Sequence, residues 1–181
     1  MSVTAPPKNN ADRIEFLFNE TNSGASQPVR GETQPDDSEL LDAYSRKCVG
    51  WNLSKRIDTQ LALGALEKAL ATRDVRPGLI HHSDRGVQYA STAYVERLLS
   101  VQAKISMSAV GNPYDNAKAE SFFKTLKQEE VYLKQYQTFE EAESNIGQFI
   151  EDVYNTKRLH SSLGYVPPIE FEMAYAQGIR C

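Results

Sequence analysis

The alternation of apolar and polar positions changes character near Leu40. Before it, residues 1–38 mix Pro6, Pro7, Pro28 and Pro35 with Asn, Gln, Ser, Thr and acids, and apolar residues gather only from Ile14 to Phe18. Such a composition buries too little surface to offset chain entropy, so this segment is expected to be disordered or loosely attached. From Leu40 onward the pattern is that of a folded domain. Asp42, Ala43, Tyr44, Ser45 and Arg46 read as a polar turn, and residues 47–53 as a short strand, which makes a hairpin whose first arm is barely present. Asp58 or Thr59 is placed to cap a helix through Thr72, because Leu61, Ala62, Ala65, Leu66, Ala69 and Leu70 recur at steps of three and four. Pro77-Gly78 closes that region.

A brief buried-strand pattern then runs over residues 79–84 and stops at Asp84, just before Gly86. A helix fits residues 92–100, a strand 104–110 and a loop 111–116. The next helix, about 117–133, sets Glu120, Phe123, Lys124 and Lys127 on one face, with Glu120 in its first turn. Thr138 with Glu141 three residues on predicts a capping box for a last long helix, whose apolar stripe is Ala142, Ile146, Phe149, Ile150 and Val153. Strands alternating with helices predict an α/β domain, and no internal repeat is visible.

Charge adds a division the apolar pattern lacks. The formal net charge of -4 gives no general reason to expect a polyanionic partner. Residues 42–127, however, hold 13 Lys and Arg against 8 Asp and Glu, whereas residues 128–181 hold 4 against 9. The net-positive stretch carries the acids at issue here. Cys48 and Cys181 have no paired spacing and no histidines arranged as zinc ligands, so a reduced, cytoplasmic chain is expected. Nor does the N-terminus show a basic region followed by an apolar core, and no apolar run reaches the ~18 residues that span a bilayer, so no membrane partner is expected.

Asp84 ends a predicted strand, Glu120 begins a predicted helix, and 35 residues separate them. Around these acids lie His82-Ser83-Asp84-Arg85-Gly86, then Gly111-Asn112-Pro113-Tyr114-Asp115-Asn116-Ala117, then Ala119-Glu120-Ser121-Phe122-Phe123-Lys124-Thr125-Leu126-Lys127. Tyr154-Asn155, Arg158-Leu159-His160-Ser161-Ser162-Leu163-Gly164-Tyr165 and Pro167-Pro168 follow. This ordered set resembles the integrase core of bacterial insertion-sequence transposases, relatives of retroviral integrases in the ribonuclease-H-like superfamily. The resemblance implies two aspartates and a glutamate that bind two divalent metals, Mg²⁺ or Mn²⁺, and cleave and join phosphodiester bonds of DNA at transposon ends. Hard cations prefer carboxylate oxygens, and a metal pair stabilises both the attacking and leaving oxygens of an in-line displacement. Carried over by motif, Asp84 and Glu120 become the second and third metal ligands and catalytic acids. Lys127 matches a basic residue that contacts the DNA end, and Lys124 lies one turn earlier on the same face.

The resemblance covers residues 40–175 as a partial catalytic core, after an unrelated tail at 1–39 and before a C-terminal tail at 176–181. The family's first aspartate lies on an opening strand after a tryptophan, and residues 1–39 contain no tryptophan. The expectation is therefore a ribonuclease-H-like core with its opening strands missing and its first metal ligand absent. Asp42 matches the hairpin turn, and Asp12, just ahead of Ile14, is the upstream aspartate next to a strand-like run. On this reading the chain acts in DNA transposition but is inactive alone. A second reading makes it a catalytically dead fragment that binds DNA, or pairs with full-length transposase or itself, and dampens transposition. Several residues also have plain structural roles open to them: His81, His82 and His160 as packing or loop-bonding groups, Phe122 and Phe123 as core, and Glu140, Glu141 and Glu143 as a solvated helix face.

Overall fold

A computed structural model describes residues 13–18, 36–55, 58–75, 77–84, 86–107 and 117–178. Five strands form one sheet: β1 (Arg13–Phe18), β2 (Asp36–Asp42), β3 (Cys48–Ser54), β4 (Ile80–Ser83) and β5 (Lys104–Met107), in the order β3-β2-β1-β4-β5. β1 runs antiparallel to β2 and parallel to β4, which runs parallel to β5. The α/β expectation holds, but the expectation that the opening strands are missing does not. Ile14–Phe18, the lone apolar island of the N-terminal region, lies in the central strand, hydrogen-bonded on both edges. A near-continuous apolar run is what a strand covered on both faces requires, and only β2 and β4 supply the context that makes it one. The hairpin's first arm is likewise full length, pairing Asp36 with Ser54 through Leu41 with Cys48. The rest of the expected tail, Asp12 included, lies outside the described residues, as does the predicted 111–116 loop.

Helices cover both faces. α1 (Thr59–Thr72) and α2 (Thr92–Ser100) pack on one side, where Leu40, Val49, Leu61, Ala65, Leu66, Leu79, Tyr94 and Leu98 form a core. α3 (Ala117–Glu129) and α4 (Phe139–Gln148) cover the other, with Leu41, Cys48, Leu53, Phe122, Leu126, Ile146 and Ile150. Because successive side chains on a strand point to opposite faces, Leu40 and Leu41 divide the two cores between them. The predicted cap of α1 is present: Asp58 accepts from Leu61 N–H at 3.0 Å. At α4, Thr138 accepts from Glu141 N–H at 3.1 Å, while the Glu141 carboxylate returns to Gln137 N–H at 2.7 Å. The box therefore closes one residue earlier than the pattern suggests.

Two boundaries differ from expectation. α3 stops at Glu129, with a separate 3-10 turn at Val131–Leu133. α4 passes without a break into a wider π-helical stretch, Phe149–Tyr154, before the chain turns at Asn155. Asn155 explains the stop: its side chain accepts from Cys48 N–H at 2.9 Å and donates to Cys48 O at 3.0 Å, tying this helix end to β3. α5 (Pro168–Ala176) follows, with proline at its start as expected where a backbone N–H has no acceptor. β5 ends at Met107, and the remainder of the predicted 104–110 strand lies outside the described residues.

Candidate active site

Asp84 is the first residue beyond β4. Its Oδ1 accepts from Gly86 N–H at 2.8 Å, a local turn bond that fixes the carboxylate at the strand's open end. The β1–β4 register ends at Glu15 with His82; carried two residues further, it puts Asp84 level with Leu17, whose partner across β1–β2 is Glu39. Glu120 lies in the first turn of α3 and is exposed, Lys124 is exposed, and Lys127 is half-buried in the last turn. At about 100° per residue, Glu120, Lys124 and Lys127 occupy one flank of α3, while Ala119, Phe122, Phe123 and Leu126 face the sheet.

Two contacts fix the direction of α3. Lys118 Nζ donates to Ala43 O at 3.2 Å in the β2–β3 turn, and Lys127 is near enough to Glu39 to favour its charged form. The helix therefore runs from that turn toward the end of the sheet that carries Asp84. Lys127 is the motif residue set closest to a buried acid. Among the described residues, no group of three His, Cys, Asp or Glu side chains gathers to hold a metal ion. Asp84 and Glu120 are oxygen donors of the right hardness for a divalent cation, but with α3 starting at the β2–β3 turn, Glu120 lies toward the end of the sheet away from Asp84.

Sequence reasoning missed Glu39. It is 1% exposed, and among the described residues neither carboxylate oxygen meets an N–H or hydroxyl donor. Burial pushes its pKa well above the ordinary glutamate value, and the neighbouring Asp37 carboxyl adds to this, while Lys127 opposes it. The signal was present: with Leu41 facing the α3 core, the position two residues earlier should be apolar. Asp42, also 1% exposed, is handled differently. Its Oδ1 accepts from Tyr44 N–H at 2.8 Å and Ser45 N–H at 3.0 Å, and Arg73 lies 3.4 Å from Oδ2. That geometry suits the turn role its motif position implies. Burial still raises its pKa on balance.

His81 and His82 pack as expected. His81, 1% exposed, meets the Tyr94 hydroxyl at 3.1 Å, and burial depresses its pKa to about 3. His82 meets Ser106 Oγ at 3.0 Å. Phe122 and Phe123 are core, whereas Glu140 and Glu141 are exposed and Glu143 is half-buried.

Two matches to the integrase core domain family cover residues 38–113 and 101–168. The transposase for insertion sequence element IS904 of Lactococcus lactis is 46% identical over 132 residues, which are 73% of this chain and 52% of that protein. The transposase InsF for insertion sequence IS3A of Escherichia coli is 40% identical over 133 residues, 74% of this chain and 46% of that protein. The chain spans about half the length of the curated relatives it matches. Among solved structures, a simian T-cell lymphotropic virus intasome superposes with a TM-score of 0.67 at 13% identity, over 89% of this chain and 54% of that one. The HTLV-2 integrase catalytic core domain in complex with magnesium gives 0.62 at 10% identity, over 89% of this chain and 95% of that one. Those likenesses establish the fold as that of the integrase catalytic cores, which are ribonuclease-H-like. With strand order, motif order and relatives in agreement, the chain belongs to the integrase core family of insertion-sequence transposases.

Proposed function

We propose that this core takes part in cleaving and joining DNA strands at transposon ends, with Asp84 and Glu120 as metal-ligating catalytic acids and Lys127 and Lys124 on the DNA. The observation that supports the reading is the integrase core family match, which spans Asp84 in one segment and Glu120 in the other. Mg²⁺ or Mn²⁺, when bound, would lower the cost of charge on the reacting phosphate oxygens. Asp84 would offer oxygen from a strand end made rigid by the Gly86 bond, and Glu120 from the first turn of a helix. Lys127 and Lys124, on the same flank of α3 as Glu120, would neutralise backbone phosphates and orient the strand toward the acids. With Leu17 level with Asp84, a third anchoring carboxylate is lacking there, and loose positioning of a reacting group can cost about 100-fold in rate.

The test uses labelled duplexes bearing the terminal sequence of the element that encodes the chain, or a scrambled version, with and without Mn²⁺. Metal-enhanced binding selective for the end sequence is expected, with strand cleavage slow at best. The Asp84→Asn, Glu120→Gln double variant should lose the metal effect and keep the metal-independent binding. Metal enhancement that survives in the double variant would sink the assignment of these two acids.

A further inference from the structure

A cavity of about 340 Å³ opens on the other flank of α3 from Glu120, bounded by the β2–β3 turn, the first half of α3 and the chain following Tyr154. Its lining includes Arg46, Lys118, Ser121, Arg158, His160 and Ser161, and no described Asp or Glu. Lys118, Ser121 and Thr125 form a stripe roughly 120° around the helix from Glu120, Lys124 and Lys127, at about 100° per residue. The buried stripe of α3 lies on the far side of the helix from the arc that joins them. Arg158, His160 and Ser161 in this lining belong to the family motif at residues 158–165.

We infer that this cavity binds a phosphate of the DNA backbone, as a second contact beside the acid-bearing flank of α3. The inference rests on the DNA-joining role proposed above and extends it to residues on which that role makes no claim. Three cationic side chains reach the cavity from three separate parts of the chain. Lys118 is held there by its bond to Ala43 O, and Arg46 by a left-handed backbone, φ 64°, that a non-glycine residue adopts only where surrounding structure holds it. Arg158 pairs with Glu129, an acid outside the lining, and the lining itself holds three cations and no described Asp or Glu. The first turn of α3 adds the positive end of the helix dipole.

His160 supplies independent support. Its Nε2 is buried and has no hydrogen-bond partner among the described residues, and the residue forms part of the cavity wall. Burial, then Arg158 and Arg46, depress its pKa to about 4, which shows that two guanidinium charges converge on this ring. Tyr154 packs edge-on against the ring at 5.2 Å between centroids and contributes no charge at neutral pH. A neutral imidazole carries one ring N–H, and a turn of the His160 side chain would offer it to an anionic oxygen in the cavity. Ser121 and Ser161 add hydroxyls of the kind that position phosphates without reading sequence. Because Ser121 directly follows Glu120, a strand lying along the acid flank can place a neighbouring phosphate here.

The test measures binding of the chain to a fluorescein-labelled duplex of arbitrary sequence by anisotropy over a range of NaCl concentrations. Each phosphate contact to duplex DNA contributes about 0.9 to the slope of log affinity against log salt. The Arg46→Gln, Lys118→Gln double variant should lower that slope by between about 1 and 2. A charge-matched control, Lys55→Gln with Lys104→Gln, lies outside the cavity and should retain more of the slope. Equal slopes for the cavity variant and the unmodified chain would overturn the inference and leave the proposed function standing. If the unmodified chain bound no DNA at any salt, the proposed function would fall first and the cavity assignment with it. The second readout needs no variant: the His160 titration, followed by NMR, should move upward by about one pH unit on adding a short duplex. An equal movement with inorganic phosphate and none with DNA would make the cavity a small-anion site and defeat the DNA assignment.

Discussion

Asp42 and Glu39 sit three residues apart on β2, point to opposite faces of the sheet, and are equally buried, yet their surroundings differ. On the face covered by α1 and α2, Asp42 receives two backbone N–H groups from its own turn and the Arg73 guanidinium from the end of α1. On the face covered by α3 and α4, Glu39 meets no N–H or hydroxyl donor among the described residues and lies beside the Asp37 carboxyl. A buried acid held by its own turn is a structural device, explicable from five consecutive residues. A buried acid without donors costs stability, and it lies at the level of the sheet where Asp84 emerges. The α1–α2 face thus closes its charge locally, whereas the α3–α4 face carries both the uncompensated acid and the helix that bears the family's glutamate and lysines.

The largest effect should come from the way the two helical layers dock. A Cβ on Gly50 would meet Ala65 O at 2.3 Å and Ala69 N at 2.8 Å, atoms of the α1 backbone that cannot rotate away. On the opposite layer, a Cβ on Gly147 would meet the Trp51 ring at 2.6 Å, a side chain only partly buried. Gly50→Ala should therefore lower unfolding stability by about 3 kcal/mol or more, and Gly147→Ala by roughly 1–2 kcal/mol, read from urea denaturation. A larger cost at Gly147 would mean that the α3–α4 layer is the more rigid one.

The next effect has the opposite sign. Glu39→Val removes a donorless carboxyl and fills its place with apolar volume, so stability should rise by about 1–3 kcal/mol at pH 7. Unchanged or reduced stability would show that the carboxyl has a partner, and loss of metal-enhanced DNA binding in the same variant would place Glu39 in the site.

Proton linkage tests the same contrast without relying on one substitution. His81 is held near pKa 3 against 6.5 unfolded, so below pH 6.5 the unfolded chain takes up a proton that the folded one refuses. Stability from this group falls as pH drops from 6.5 toward 3, by up to about 1.4 kcal/mol per unit. Glu39, raised above 4.5, does the reverse: its contribution is intact below 4.5 and is lost as pH rises above that value. Above pH 4.5 the two oppose each other. Glu39→Val should thus steepen the acid-side loss between pH 6.5 and 4.5 in chemical denaturation, and parallel profiles would rule out the opposition.

What the sequence made legible follows the range of the forces involved. The Asp58 cap, the helical stripes and the Asp42 turn are decided within a few residues, and each is found. β1 was not legible, because Arg13–Phe18 becomes a strand only through pairing with β2 and β4, while its flanks are polar and proline-rich. Reading a folded pattern only from Leu40 also hid Glu39, a polar residue at an inward position. The cationic cavity lay beyond any local reading, since Lys118 and the turn it contacts are 75 residues apart. Asp84 and Glu120 were legible through motif spacing, which is a memory of the family's chemistry and not a consequence of local folding.

The smallest expected effect compares how the first helix of the α1–α2 layer and the last of the α3–α4 layer begin. Asp58 caps α1 alone: no acid lies in that helix's first turn, so its carboxylate provides both the bond to Leu61 N–H and the charge that offsets the dipole. Thr138 caps α4 in company, because Glu140 and Glu141 lie in the first turn and Glu141 also holds Gln137 N–H. Asp58→Ala should cost about 1–2 kcal/mol and Thr138→Ala about 0.5–1 kcal/mol in the same denaturation assay. Added salt should narrow the gap, since the charge contribution at Asp58 is screened and a hydroxyl's bond is not. A gap that salt leaves untouched would assign the difference to hydrogen-bond geometry alone, and a larger loss at Thr138 would show that the capping box is cooperative, with Glu141 depending on the hydroxyl it was taken to supplement.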